Sequence, residues 1–166
     1  MKTLFYKSIL MLLITFSLPV FSQETEIVKL LNENLKQDLK INPEYRHFED
    51  TLKIIKPYNI TDGILSVEIE SRNGNSHYIE KQEVPLSKII SLGKDINVIL
   101  ETEGDEDVTI TTTEFENGKT TEPKTRKSYL FFTGIREQKH NESFGYNLQG
   151  AFWKAGYRIE LGSWYD

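Results

Sequence analysis

The chain has 166 residues, a formal net charge of −5 and no cysteine. Its length suits one domain with its own core, and its acidity argues against nucleic acid and anionic membrane surfaces as partners. Without cysteine no disulfide can form, so stability has to come from apolar packing and backbone pairing.

Residues 1–22 read as a secretory signal peptide. Lys2 and Lys7 give a positive start, and an apolar run follows from Ile9 to Leu18. Pro19 breaks the run, and Val20 and Ser22 occupy the −3 and −1 positions of a cleavage after Ser22. The run is shorter than the roughly 20 apolar residues a membrane span needs. Removing 22 of 166 residues leaves 144, residues 23–166, as a single α+β domain. The two lysines lost with the leader move the net charge from −5 to −7. The expectation is an exported protein, periplasmic or extracellular, with no transmembrane span after cleavage.

Glu24 to Lys40 predicts the first helix. Ile27, Leu31, Leu35 and Leu39 recur every four residues, with Val28 and Leu30 widening the stripe. Asn42-Pro43 ends it, because proline disfavours helical geometry at the residue before it.

From Thr51 the pattern becomes strand-like. "TLKIIK" is a short strand ended by Pro57. In "ILSVEIES", Leu65, Val67 and Ile69 alternate with Ser66, Glu68 and Glu70. Asn73-Gly74 then predicts a hairpin turn, since both residues tolerate positive φ. "SHYIEKQEV" returns, placing His77 across from Glu70. "INVILETE" puts Ile96, Val98 and Leu100 on one face. "DVTITTTEF" is a threonine-rich strand, Asn117-Gly118 a second turn, and "KSYLFFTGI" the next strand.

The C-terminal stretch begins as a helix with Phe144, Leu148, Ala151, Phe152 and Ala155 on one face. Gly145 and Gly150 weaken it by about 1 kcal/mol each relative to alanine. "YRIELGSWY" reads as a last strand, with Tyr157, Ile159 and Leu161 facing inward. The predicted fold class is α+β: an N-terminal helix, a curled antiparallel sheet of about six to eight strands, and a C-terminal helix followed by a short strand. The segment "VPLSKIISLGKDINVILETEGDEDVTI" and the later amphipathic helix resemble pleckstrin-homology-like modules, in which a helix plugs one end of a curled sheet. The strand after the helix is similar to lipocalin-like barrels instead. Neither resemblance carries a functional residue onto this chain.

The chemistry-bearing residues are scattered. His47, His77 and His140 lack metal-ligand spacing, so no tightly held transition metal or other cofactor is expected. His47 stands beside Glu49 and Asp50, a candidate acid/base cluster. "ETEGDED" offers Glu103, Asp105 and Asp107 as weak calcium candidates, against the reading of a charged hairpin tip that discourages edge pairing. "NGKTT" lacks the first glycine of a phosphate loop, because Thr113 stands in its place. No Gly-x-Ser-x-Gly is present. The last residues gather Trp153, Trp164 and Tyr165, candidates for a stacking platform or for a closing core element. The expectation is an exported, non-enzymatic binding or interaction module whose partner is a protein, a glycan or an apolar small molecule. The alternative is a hydrolase whose carboxylates, or His47, are drawn together by the fold. A purely structural envelope component is a third reading.

Overall fold

The computed structural model describes residues 23–41, 43–46, 48–74 and 76–165. The signal peptide, its cleavage site and His47 lie outside the described residues. Helix α1 spans residues 23–38. Its four-residue stripe is a core face, with Ile27, Leu31 and Leu35 fully buried. A short 3-10 turn at Pro43–Tyr45 follows.

Ten strands come next: β1 Thr51–Thr61, β2 Ile64–Asn73, β3 Ser76–Pro85, β4 Ile89–Lys94, β5 Val98–Thr102, β6 Val108–Glu116, β7 Lys119–Thr120, β8 Lys124–Ser128, β9 Leu130–Phe132 and, after helix α2 (Glu142–Lys154), β10 Glu160–Trp164. The fold class is α+β and the pairing mostly antiparallel. The strands form two hydrogen-bonded sheets rather than one. The first runs β1-β2-β3-β6, with β7 and β8 both pairing β6. The second runs β10-β4-β5-β9, and β10 lies parallel to β4.

Two local devices move the chain between the sheets. A 3-10 turn at Leu86–Lys88, with Leu86 buried, diverts it between β3 and β4. The predicted strand "KSYLFFTGI" breaks at Tyr129 into β8 and β9. There the Ser128 hydroxyl accepts the Leu130 N–H at 3.0 Å and donates to the Leu130 carbonyl at 3.2 Å, replacing ladder bonds with a local turn.

Other expectations shift for physical reasons. Pro57 does not end β1, which continues to Thr61. β1 is an edge strand, and its register slips between Ile54 and Asn59, where a missing N–H is tolerated. On that edge the Asn32 side chain of α1 accepts the Tyr58 N–H at 2.9 Å and donates to the Tyr58 carbonyl at 3.0 Å. The first hairpin pairs Asn73 with Ser76, so His77 stands across from Arg72 rather than Glu70. Its Nε2 still reaches Glu70 Oε1 diagonally at 2.7 Å, while its ring stacks on Phe115 at 3.8 Å. Ile96 sits in the turn before β5 and is 59% exposed, whereas Val98 and Leu100 are fully buried. The second turn holds as read, with Asn117 and Gly118 both at positive φ.

The core joins Leu65 and Val67 of β2, Val84 of β3, Leu100 of β5 and Ile110 of β6 to α2. Phe144, Leu148, Ala151 and Phe152 of α2 are buried, and a ring such as Phe152 contributes roughly 2–3 kcal/mol. Ile159 is buried, and Tyr157 and Leu161 pack partly against the core, although only the stretch from Glu160 onward is strand. Gly145 leaves room for the Trp164 ring: a Cβ there would stand 2.6 Å from Trp164 Cζ3.

Candidate binding cleft

The polar half of the first sheet's inner face holds a cleft of about 120 Å³. It owes its position to β3. Tyr78, Glu80, Gln82 and Val84 share one face of that strand, and only Val84 continues the apolar core. Ser71 of β2, Asn97 from the turn before β5, and Phe132 of β9 complete the walls.

Arg136 closes one side. Its guanidinium pairs with both carboxylate oxygens of Asp50, and Ser71 Oγ donates to Asp50 Oδ2 at 3.0 Å. The guanidinium also lies 4.3 Å from the centre of the Phe48 ring, a cation–π contact. The backbone behind it is pinned by α1. Asp38 Oδ1 accepts the N–H groups of Arg136, Glu137 and Gln138 at 3.0, 2.8 and 3.0 Å. Burial raises the Asp38 carboxyl above its ordinary value, against the lowering effect of those three donors.

Gln82 is committed to the frame. Its amide donates to the Phe132 carbonyl at 3.1 Å and accepts the Phe132 N–H at 2.9 Å. It also donates to Glu80 Oε1 at 2.9 Å. Glu80 has Arg126 of β8 at 3.9 Å, yet desolvation pushes its carboxyl above the ordinary range. Tyr78 Oη and Asn97 Nδ2 have no hydrogen-bond partner among the described residues, and neither has the buried Nε of Arg136.

Arg136 also lines a second, larger cleft of about 340 Å³ with Phe48, Ile96 and Tyr165. Tyr165, 62% exposed, reaches a third hollow of about 240 Å³ over Gly93 and Gly162.

The three terminal aromatics do not form one platform. Trp164 is half-buried, edge-on to Phe144, and donates from Nε1 to Asn141 Oδ1 at 3.0 Å. Trp153 stands near the other end of α2, about 12 Å along the axis from Gly145, the residue against the Trp164 ring. It is 45% exposed, donates to the Ile159 carbonyl at 2.8 Å and lies under Arg158. Of the three, Tyr165 lines the second cleft and the third hollow. The calcium candidates are not drawn together either. Asp107 accepts the Gly104 N–H at 3.0 Å and has Lys88 at 3.9 Å. Among the described residues no three of His, Cys, Asp and Glu, including Glu103 and Asp105, gather as a group able to hold a metal. His77 is engaged with Glu70, away from the cleft.

The cleft residues Tyr78, Asn97 and Arg136 escape a reading by motif. The available signal was phase: in "SHYIEKQEV", Tyr78, Glu80 and Gln82 share the parity of the buried Val84. Polar residues in step with a core face mark a cavity or a network. Compared with known proteins, the chain matches no family model, no curated protein and no solved structure.

Proposed function

We propose that this chain is an exported module that binds a small ligand in the cleft between Tyr78, Asn97 and Arg136. The observation that carries the reading is the contrast within one cleft. Asp50, Ser71 and Gln82 are locked into frame contacts, while Tyr78 Oη and Asn97 Nδ2 stay uncommitted at the same opening. A preorganised wall with a few unspent polar groups is how small-molecule sites are built. The carboxylates favour this over hydrolysis. Both oxygens of Asp50 are held by Arg136 and Oε1 of Glu80 by Gln82, which leaves Glu80 Oε2 as an acceptor but no second open carboxylate beside it in the cleft. Export rests on the leader-like pattern of residues 1–22.

A fragment screen by two-dimensional NMR tests the site. Binders should cluster on Tyr78, Asn97 and Arg136 and lose their effect in Asn97→Trp, which fills the opening. Binders scattered over other surfaces would remove the proposal. Turnover of ester, glycoside or peptide substrates that vanishes in Glu80→Gln would replace it with the hydrolase reading.

A further inference from the structure

Resting on that binding reading, we infer that the cleft takes a neutral sugar ring. Three properties select this class. The first is charge. Arg136 is paired with Asp50 and has Glu137 at 3.7 Å, and Arg126 faces Glu80 at 3.9 Å. Both arginines are matched by acids, so a phosphate, sulfate or carboxylate in the first cleft would displace an existing partner and meet acidic neighbours.

The second is the hydrogen-bonding set. Tyr78 Oη can donate or accept, Asn97 Nδ2 donates, and Glu80 Oε2 meets Arg126 only at ion-pair distance. Mixed donors and acceptors in a small space suit hydroxyl groups, each of which donates once and accepts twice. The third is the pairing of those groups with rings. Tyr78 and Phe132 are both half-buried in the same lining, and a pyranose offers apolar C–H faces between its hydroxyls. Arg136 is common to the second, larger cleft, whose lining adds Phe48, Tyr165, Lys94, Asp95 and Lys139.

The test uses the exported full-chain product and three sugars of one ring shape that differ in charge: glucose, glucuronate and glucosamine. Galactose, mannose and N-acetylglucosamine widen the neutral set. Binding is read by NMR shifts of the Asn97 side-chain amide and the Tyr78 ring. A neutral sugar is expected to move these signals and to bind more tightly than its charged counterpart. Tyr78→Phe and Asn97→Ala should each weaken it about 2- to 10-fold, the range of one net hydrogen bond, while leaving the melting temperature near that of the parent. Tighter binding of glucuronate or glucosamine overturns the inference, as does unchanged affinity in both variants. If fragments bind at the cleft and no neutral sugar does, the sugar assignment falls and the binding module stands. If nothing binds there, both fall.

Discussion

The side-chain amide of Gln82 pairs with the backbone of Phe132 as a neighbouring strand would, giving one hydrogen bond and taking one. It joins β3 of the first sheet to β9 of the second, where no backbone ladder runs between them. Asn32 treats Tyr58 in the same way at the edge of the first sheet. Unpaired strand edges invite pairing with other chains, and each amide occupies one such peptide group.

Gln82→Ala leaves both Phe132 groups without that partner and is expected to destabilise the fold by about 2–4 kcal/mol. Urea unfolding measures the loss. Faster hydrogen exchange at the Phe132 amide locates it. An unchanged Phe132 exchange rate would show that the amide does not hold the two sheets together.

The two glycines of α2 separate propensity from packing. Helix propensity alone favours alanine over glycine by about 1 kcal/mol at either position. Gly150 has nothing within 4 Å of an added Cβ, so Gly150→Ala is expected to stabilise by up to about 1 kcal/mol. At Gly145 the same methyl meets the Trp164 ring at 2.6 Å, and Gly145→Ala is expected to destabilise by about 1–3 kcal/mol. Thermal melts give the two signs, and the Trp164 emission should shift only in the second variant.

Glu70 links stability to pH. Hydrogen bonds from Arg72 and His77 hold its carboxyl below the ordinary value of 4.5. A lowered folded-state value means that the stabilisation is fully present above about 4.5 and is lost as pH falls through the folded-state value. Glu70→Gln is therefore expected to lower the melting temperature at pH values above 4.5. That difference should shrink below pH 4.5. A difference that grows as pH falls below 4.5 would reverse the assignment.

Processing is expected after Ser22, following the charged start, the short apolar run and Pro19. Mass spectrometry of protein from its native host should find a chain beginning at Gln23. Intact chain from Met1 in the membrane fraction would contradict export with cleavage.

The elements with strong periodicity were legible in the sequence. Ile27, Leu31 and Leu35 of the α1 stripe, the alternating Leu65, Val67 and Ile69, and the α2 face from Phe144 to Phe152 bury as their spacing implied, while Leu39, Val28 and Leu30 are only partly buried. Sheet switching was not legible, because it depends on single contacts such as Ser128 with Leu130 that leave no periodic trace. Pro57 misled for a related reason: whether proline ends a strand depends on whether that strand lies at an edge, a fact of tertiary pairing. The cleft was the least visible feature. Arg136 gains its place from Asp38 and Asp50, which stand 98 and 86 positions away. Tryptophans drew attention by size alone, yet Trp164 packs on the first turn of α2 and Trp153 bonds to its own neighbouring loop.

The hold of Asp38 on residues 136–138 bears on how the protein is assembled. Its partners lie 98 to 100 positions along the chain, so this clamp closes a loop spanning most of the domain. Closing so long a loop is entropically unfavourable, and the contact forms only when α1 and the segment before α2 are both in place. The clamp behind the cleft wall therefore needs both ends of the domain, and a fragment that lacks either end lacks it. An occupant held against Arg136 would select the fully assembled chain. It would add its binding free energy to the stability of the whole domain rather than of one loop. Protease resistance of the intact protein would then rise with occupancy.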